Sequence, residues 1–273
     1  MIAAPICPPD QAKWDEDKIP RPDVSNLVTE DDTPVDNQFS EKQMRLLTGS
    51  LYTSWKPDFP FVTMANVGVY VALNRKPVVP DVLVTTHVEP LQDLMQKEHK
   101  AYFSWLYDGK PPEVVIEIVS NRKGKELTSK MRNYEHMGVT WYAVFDPAHY
   151  IQKESLAMYW LVGGKYQRLD EALLGDLELG LVLWEGEFEG VTGTWLRWAD
   201  CDGNLLMTGD ENAAVAQQQA KAARQQTAAA KQQAAAALQQ AQKSDQRAEA
   251  AERGAAALKA RLRALGVDPD TVV

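Results

Sequence analysis

The sequence predicts an α/β domain, a mixed sheet flanked by helices, followed by a long coiled-coil helix, and three observations carry that prediction. Short apolar segments at 80–84, 114–119 and 141–145 have the length of buried strands and alternate with segments of helical spacing. From about Asp210 the composition turns abruptly to Ala and Gln in steps of seven. The central strand is apolar on both alternating faces except at Glu117. Burying a lone carboxylate is costly unless it is paired or holds a cation, so this acid needs a partner.

Taken in order, residues 1–37 are rich in Pro and Asp with few apolar anchors and read as a mobile acidic arm. Ser40 and Gln43 have capping-box spacing, and Met44, Leu47 and Leu51 share one face, which predicts a helix over 40–54. Phe61 to Leu73 reads as a long strand or a bent pair around Gly68, and 74–77 turn the chain into the strand at 80–84. Leu91, Leu94, Met95, Tyr102, Trp105 and Leu106 predict a helix over 91–107, ended by Asp108-Gly109 and Pro111-Pro112. Leu127, Met131 and Tyr134 predict another over 126–137, with Gly138 as its C-terminal cap. The strand at 141–145 runs into Asp146-Pro147, and further strands follow at 156–162, 165–169 and 180–188. Gly163-Gly164 joins the first two of these, and Asp202-Gly203 signals a hairpin between 195–200 and 204–207. The α/β domain, with this β extension, is thus expected over 38–209.

With Ala213 set at the first heptad position, Ala220, Thr227, Ala234, Ala241, Ala248, Ala255 and Leu262 follow at the same position. The Gln pairs at 218–219, 225–226, 232–233 and 239–240 keep the same step, so the repeat does not depend on the Ala stripe. One helix over 210–266 is expected, about 80 Å long at 1.5 Å per residue, with 267–273 as a tail. Its small-residue seam points to a homo-oligomer, while the other reading is a solitary helix favoured by Ala alone.

Composition bounds the function. At 273 residues and 45% hydrophobic content the chain can build a real core, and its apolar runs fall short of the roughly 20 residues of a membrane span. The first nine residues lack the basic start of a signal peptide. Cys7 and Cys201 make neither a metal spacing nor a disulfide framework, which fits a cytoplasmic setting, and the four histidines are scattered. The net charge of −9 is uneven: residues 1–210 carry 20 basic and 32 acidic side chains, and 211–265 carry nine and four. Any phosphate contact in the α/β domain must therefore be local.

Asp81 and Glu117 stand on two strands of the predicted sheet, and the basic run from Arg122 to Lys130 follows. Two such acids can converge on a hard cation such as Mg²⁺, or Mn²⁺ in its place, and a lysine beside it can hold a water or a phosphate. These are sufficient parts for metal-dependent phosphodiester cleavage, with Arg122, Lys123 and Lys125 as phosphate contacts. A plainer reading makes Glu117 half of a structural buried ion pair with Lys130 or Arg132.

The ordered set Pro80-Asp81, 115–120, Lys130 through Tyr134 to Gly138-Val139, and 144–147 resembles the Uma family of restriction endonucleases in the PD-(D/E)XK nuclease superfamily. The likeness covers roughly residues 38–190, and 261–266 is similar to the tail common on cyanobacterial members. It implies a restriction-endonuclease-like fold and Mg²⁺-dependent hydrolysis of DNA, with Asp81 and Glu117 as metal-binding acids. Val119 stands where the superfamily usually has its lysine; in Uma-like sequences the lysine comes from the following helix, which puts the role on Lys130. Lys123 and Lys125 are the substitutes, and Glu41 matches in placement an acid that some superfamily members use. A competing reading keeps the fold but not the chemistry, leaving a silent binding module that assembles through its long helix.

Overall fold

The computed structural model describes residues 22–27, 37–122 and 125–266. The chain divides into two compact units, one through Gly209 and one from Asp210.

The first unit is built on a six-stranded sheet with strand order β1-β3-β5-β6-β7-β8. These strands are β1 (Phe61–Ala65), β3 (Val82–Thr86), β5 (Val114–Ile118), β6 (Trp141–Phe145), β7 (Leu156–Val162) and β8 (Lys165–Leu169). Within this sheet only β5 and β6 pair in parallel. That is the pair joined through the helical segment 126–137, as a parallel crossover requires. The central strands β3, β5 and β6 are buried at every position, which explains their continuous apolar sequences.

Helix α1 (Gln38–Ser54) covers one face, placing Met44, Leu47, Leu51 and Trp55 against Val82, Val84, Val114, Ile116 and Ile118. Its N-cap is Asn37, whose side chain accepts the Ser40 N–H at 2.9 Å, rather than Ser40 as expected. Gln43 does not close a capping box. It exchanges two hydrogen bonds with the Leu196 backbone and ties α1 to strand β11 (Val191–Asp200), which pairs with β10 (Leu179–Phe188) along its whole length. That hairpin and β9 (Leu173–Leu174) complete the cover of this face, with Trp198 donating its indole N–H to the Leu47 carbonyl.

The other face carries Val115, Val119, Tyr142 and Val144, packed against Tyr134, Val139, Tyr102 and Tyr107. The segment 61–73 is a bent pair: β1 stops where Asn66 takes a positive φ, and β2 (Val69–Tyr70) follows. The helix expected over 91–107 is not there. The Asp93 carboxylate takes the Met95 N–H and the Gln96 amide, a local turn that competes with a helix, and Leu94 and Met95 are left exposed. Tyr102 and Phe103 instead form β4, parallel to β2, flanked by short 3₁₀ turns at Lys97–His99 and Ser104–Leu106.

Of the N-terminal arm, the described stretch 22–27 buries Val24 beside Tyr70, Ala101 and Phe103; most of the arm, and the tail 267–273, lie outside the described residues. The second unit is helix α3 (Gly209–Ala264), 56 residues with none buried. Among the described residues no helix is long and apolar enough to cross a membrane.

Candidate active site

The end of β5 and the segment after it bring the predicted residues together. In the β3–β5 pairing Val82 faces Ile116, so one step further along the antiparallel register Asp81 faces Glu117. Directly opposed residues project to one face with their Cβ atoms about 5 Å apart. The Asp81 backbone stays in the sheet, accepting the Asn66 N–H at 3.0 Å, and its carboxylate accepts the Ile118 N–H at 2.6 Å.

Residues 126–137 supply the other half. The segment begins as a π-helical turn, Glu126–Lys130, closed by the Lys130 N–H to the Lys125 carbonyl at 3.0 Å, and continues as α2 (Met131–Met137). Gly138, at φ +83°, ends it in the left-handed conformation that its missing Cβ permits. Single π turns inside helices are frequent at functional sites because the extra residue re-aims the side chains after it. Lys130 and Tyr134 are four residues apart and share a helix face. Lys130 Nζ donates to Glu117 Oε2 at 2.7 Å and Tyr134 Oη to Glu117 Oε1 at 2.6 Å.

Glu117 is fully buried, and the wall around it is made of valines and tyrosines. Burial pushes its carboxyl up to about 8; Lys130 opposes the shift, Asp81 adds to it, and the two hydrogen bonds moderate it. Burial also works against the Lys130 ammonium, but the facing carboxylate of Glu117, with Asp81 and Glu126 behind it, outweighs that and holds it above its ordinary range. The two partners pull in opposite directions. Lys130 and Tyr134 are the two donors that the Glu117 oxygens meet when the carboxyl ionises, so they moderate the upward shift that burial imposes.

Two carboxylates facing each other across one rung of a sheet repel, and a cation between them removes that penalty. All their donor atoms are hard oxygens, and one or two carboxylates with retained waters is the usual protein share of a Mg²⁺ shell. The pair therefore fits a hard divalent ion. Among the described residues no group of three or more His, Cys, Asp or Glu side chains gathers to hold one.

The other candidates are placed differently. Glu41 is paired with Arg45, which also binds Glu189 at the tip of the β10–β11 hairpin, so Glu41 belongs to a separate ionic cluster. Arg122 and Lys125 are exposed, and Lys123 lies outside the described residues. Arg132 is exposed on α2, while Lys130 forms the ion pair with Glu117. Asp146, buried, accepts the backbone N–H groups of Tyr150, Ile151 and Gln152 and shapes the turn after β6. The sequence reading assigned Tyr134 to the apolar stripe of its helix. Its one available signal was its position four residues after Lys130.

No curated protein matches the chain significantly. A family model described as "Uma2: Putative restriction endonuclease" matches residues 31–183, which include β1 to β8 and all three residues gathered around Glu117. The mixed sheet with its flanking helices is a restriction-endonuclease-like fold, and this family generally uses divalent metals. The chain belongs to the Uma2 family of restriction endonuclease-like proteins.

Proposed function

We propose that the chain is a Mg²⁺-dependent endonuclease, with Mn²⁺ as a substitute ion, that hydrolyses DNA phosphodiester bonds at the site formed by Asp81, Glu117 and Lys130. The observation that carries this reading is the facing of Asp81 and Glu117 with the Lys130 ammonium on the same carboxylate. Asp81 and Glu117 would hold the cation. When bound, such an ion polarises a phosphoryl oxygen and makes water a better nucleophile. Lys130, whose side chain is 30% exposed, links the buried acid to the surface and is placed to donate to a phosphate oxygen or to orient the attacking water. Tyr134 fixes the rotamer of Glu117 by holding its second oxygen.

The test pairs binding with turnover. Asp81→Asn is expected to weaken Mg²⁺ binding, followed by calorimetry, at least tenfold and to remove metal-dependent nicking of supercoiled plasmid, with the melting temperature close to wild type. Unchanged ion binding would take Asp81 out of the site.

A second reading, a silent assembly module, is favoured by α3, which leaves Leu238 and Leu258 more than half exposed along a helix with no buried residue. The same helix fits homo-oligomerisation through 210–266 in either reading. Light scattering of the full chain is expected to exceed monomer mass, and a chain ending at Asp210 to return to it; equal masses per chain would refute the seam.

A further inference from the structure

A second feature lies on the same side of the sheet as α2. Between β2 and β3 the chain makes an exposed loop with Arg75 and Lys76 at its outer end. That loop leans on α2. Val71, Arg75, Lys76, Pro77 and Val78 from the loop and Asn133 and Met137 from the helix line a cleft of about 250 Å³.

The composition of this cleft is one-sided. Its charged lining residues are both basic, in a chain of net charge −9. Neither Arg75 nor Lys76 forms an ion pair or side-chain hydrogen bond among the described residues. This contrasts with Lys42, Lys110, Lys165 and Arg168, each of which is neutralised by a glutamate. Asn133 is exposed beside them, and Arg132, its neighbour on α2, is also exposed. Two unpaired cations and an amide in a concave setting match the charge and hydrogen-bonding needs of a phosphodiester backbone.

The connection to the acid pair is short at both walls. Lys76 precedes Asp81 by five residues, a reach of at most about 17 Å, and Asn133 adjoins Tyr134, which holds Glu117. Each DNA strand carries one charge per about 3.4 Å of axis, so the cleft lies within about five phosphates of the acids.

We propose that this cleft binds the backbone of DNA a few phosphates away from the bond placed at Asp81 and Glu117, with Arg75 and Lys76 as its phosphate contacts. The proposal rests on the nuclease reading and adds to it a docking track separate from the segment of Arg122, Lys123 and Lys125. It predicts contacts that position DNA without reading its bases, so their loss weakens all sequences alike.

The test is equilibrium binding of the full chain to a fluorescent 20-base-pair duplex, with Ca²⁺ in place of Mg²⁺, across a salt series. Arg75→Ala combined with Lys76→Ala is compared with Lys231→Ala combined with Lys243→Ala, a pair from α3 that changes the net charge equally. Losing two phosphate contacts lowers the slope of log affinity against log salt by about 1.8. The expected result is that fall for the loop variant only, a severalfold weaker affinity for duplexes of unrelated sequence, and Mg²⁺ binding and melting temperature as in wild type. An unchanged slope, or an equal fall in the α3 variant, overturns the cleft while the nuclease reading stands on its nicking activity. Wild type that neither binds nor nicks any DNA form overturns both. A wild type that binds single-stranded RNA and not the duplex overturns the DNA assignment.

Discussion

Glu117→Gln is expected to lower metal-dependent nicking by on the order of 10³-fold and, in the same protein, to remove a pH-dependent penalty on folding. The rate loss follows from what the carboxylate holds: charge stabilisation by a bound cation is worth several kcal/mol, and each 1.36 kcal/mol is a factor of ten. Glutamine keeps the shape and an oxygen for the Tyr134 hydroxyl, but its amide nitrogen, a donor, then meets the Lys130 ammonium. The folding effect has a definite sign. Glu117 in the fold titrates near 8, above the roughly 4.3 of an unfolded glutamate, because burial disfavours its charge. The native state therefore holds the extra proton between those values. Its stabilising effect is complete below about pH 4 and is lost as pH rises through 8. In metal-free buffer the difference in unfolding free energy between variant and wild type should thus grow in the variant's favour from pH 5 to pH 8.5, by a few kcal/mol. Mg²⁺ binding requires the ionised acid, so wild-type affinity should rise up to about tenfold per pH unit and level off above pH 8. A variant that nicks plasmid at the wild-type rate would dismiss Glu117 from the reaction. A pH-independent difference in stability would dismiss the buried, protonated state.

How much of this was legible in the sequence depends on how local each signal was. Glu117 stood out because a single acid interrupts an otherwise apolar strand, and the structure buries it completely. The need for a basic partner left Lys130 and Arg132 both open, and the family resemblance put the role on Lys130; the two residues that meet are 13 apart, across a crossover. The segment 91–107 failed for a different reason. Its apolar spacing is shared by a parallel strand and two 3₁₀ turns, and the Asp93 side chain settles the local competition against the helix. Gln43 shows the limit of short patterns. Its spacing from Ser40 matches a capping box, but its amide is spent on Leu196, 153 residues away. Arg75 and Lys76 carried no signal at all, because their meaning comes from the helix that forms the opposite wall of the cleft.

Lys130→Met separates the catalytic reading of the ion pair from the structural one. Methionine keeps the apolar stem against the site and removes only the charge. Deleting one partner of a buried pair costs about 3–5 kcal/mol when both are buried; Lys130 is partly exposed and Glu117 can take up a proton, so the loss here should be smaller. That loss should be greater at pH 8 than at pH 5, since the deleted ammonium opposes the upward shift of Glu117. Nicking should fall by about 10²–10³-fold at saturating Mg²⁺, the scale on which removal of one positioned donor acts. The remaining activity should rise with pH further into the alkaline range than in wild type. A merely structural lysine predicts a different pair of results: a lower melting temperature, with turnover of the folded protein and its pH profile unchanged. If nicking survives in Lys130→Met and disappears in Lys125→Ala, the lysine function belongs to the start of the π turn, and the bond between Lys130 and Glu117 is a support for the carboxylate.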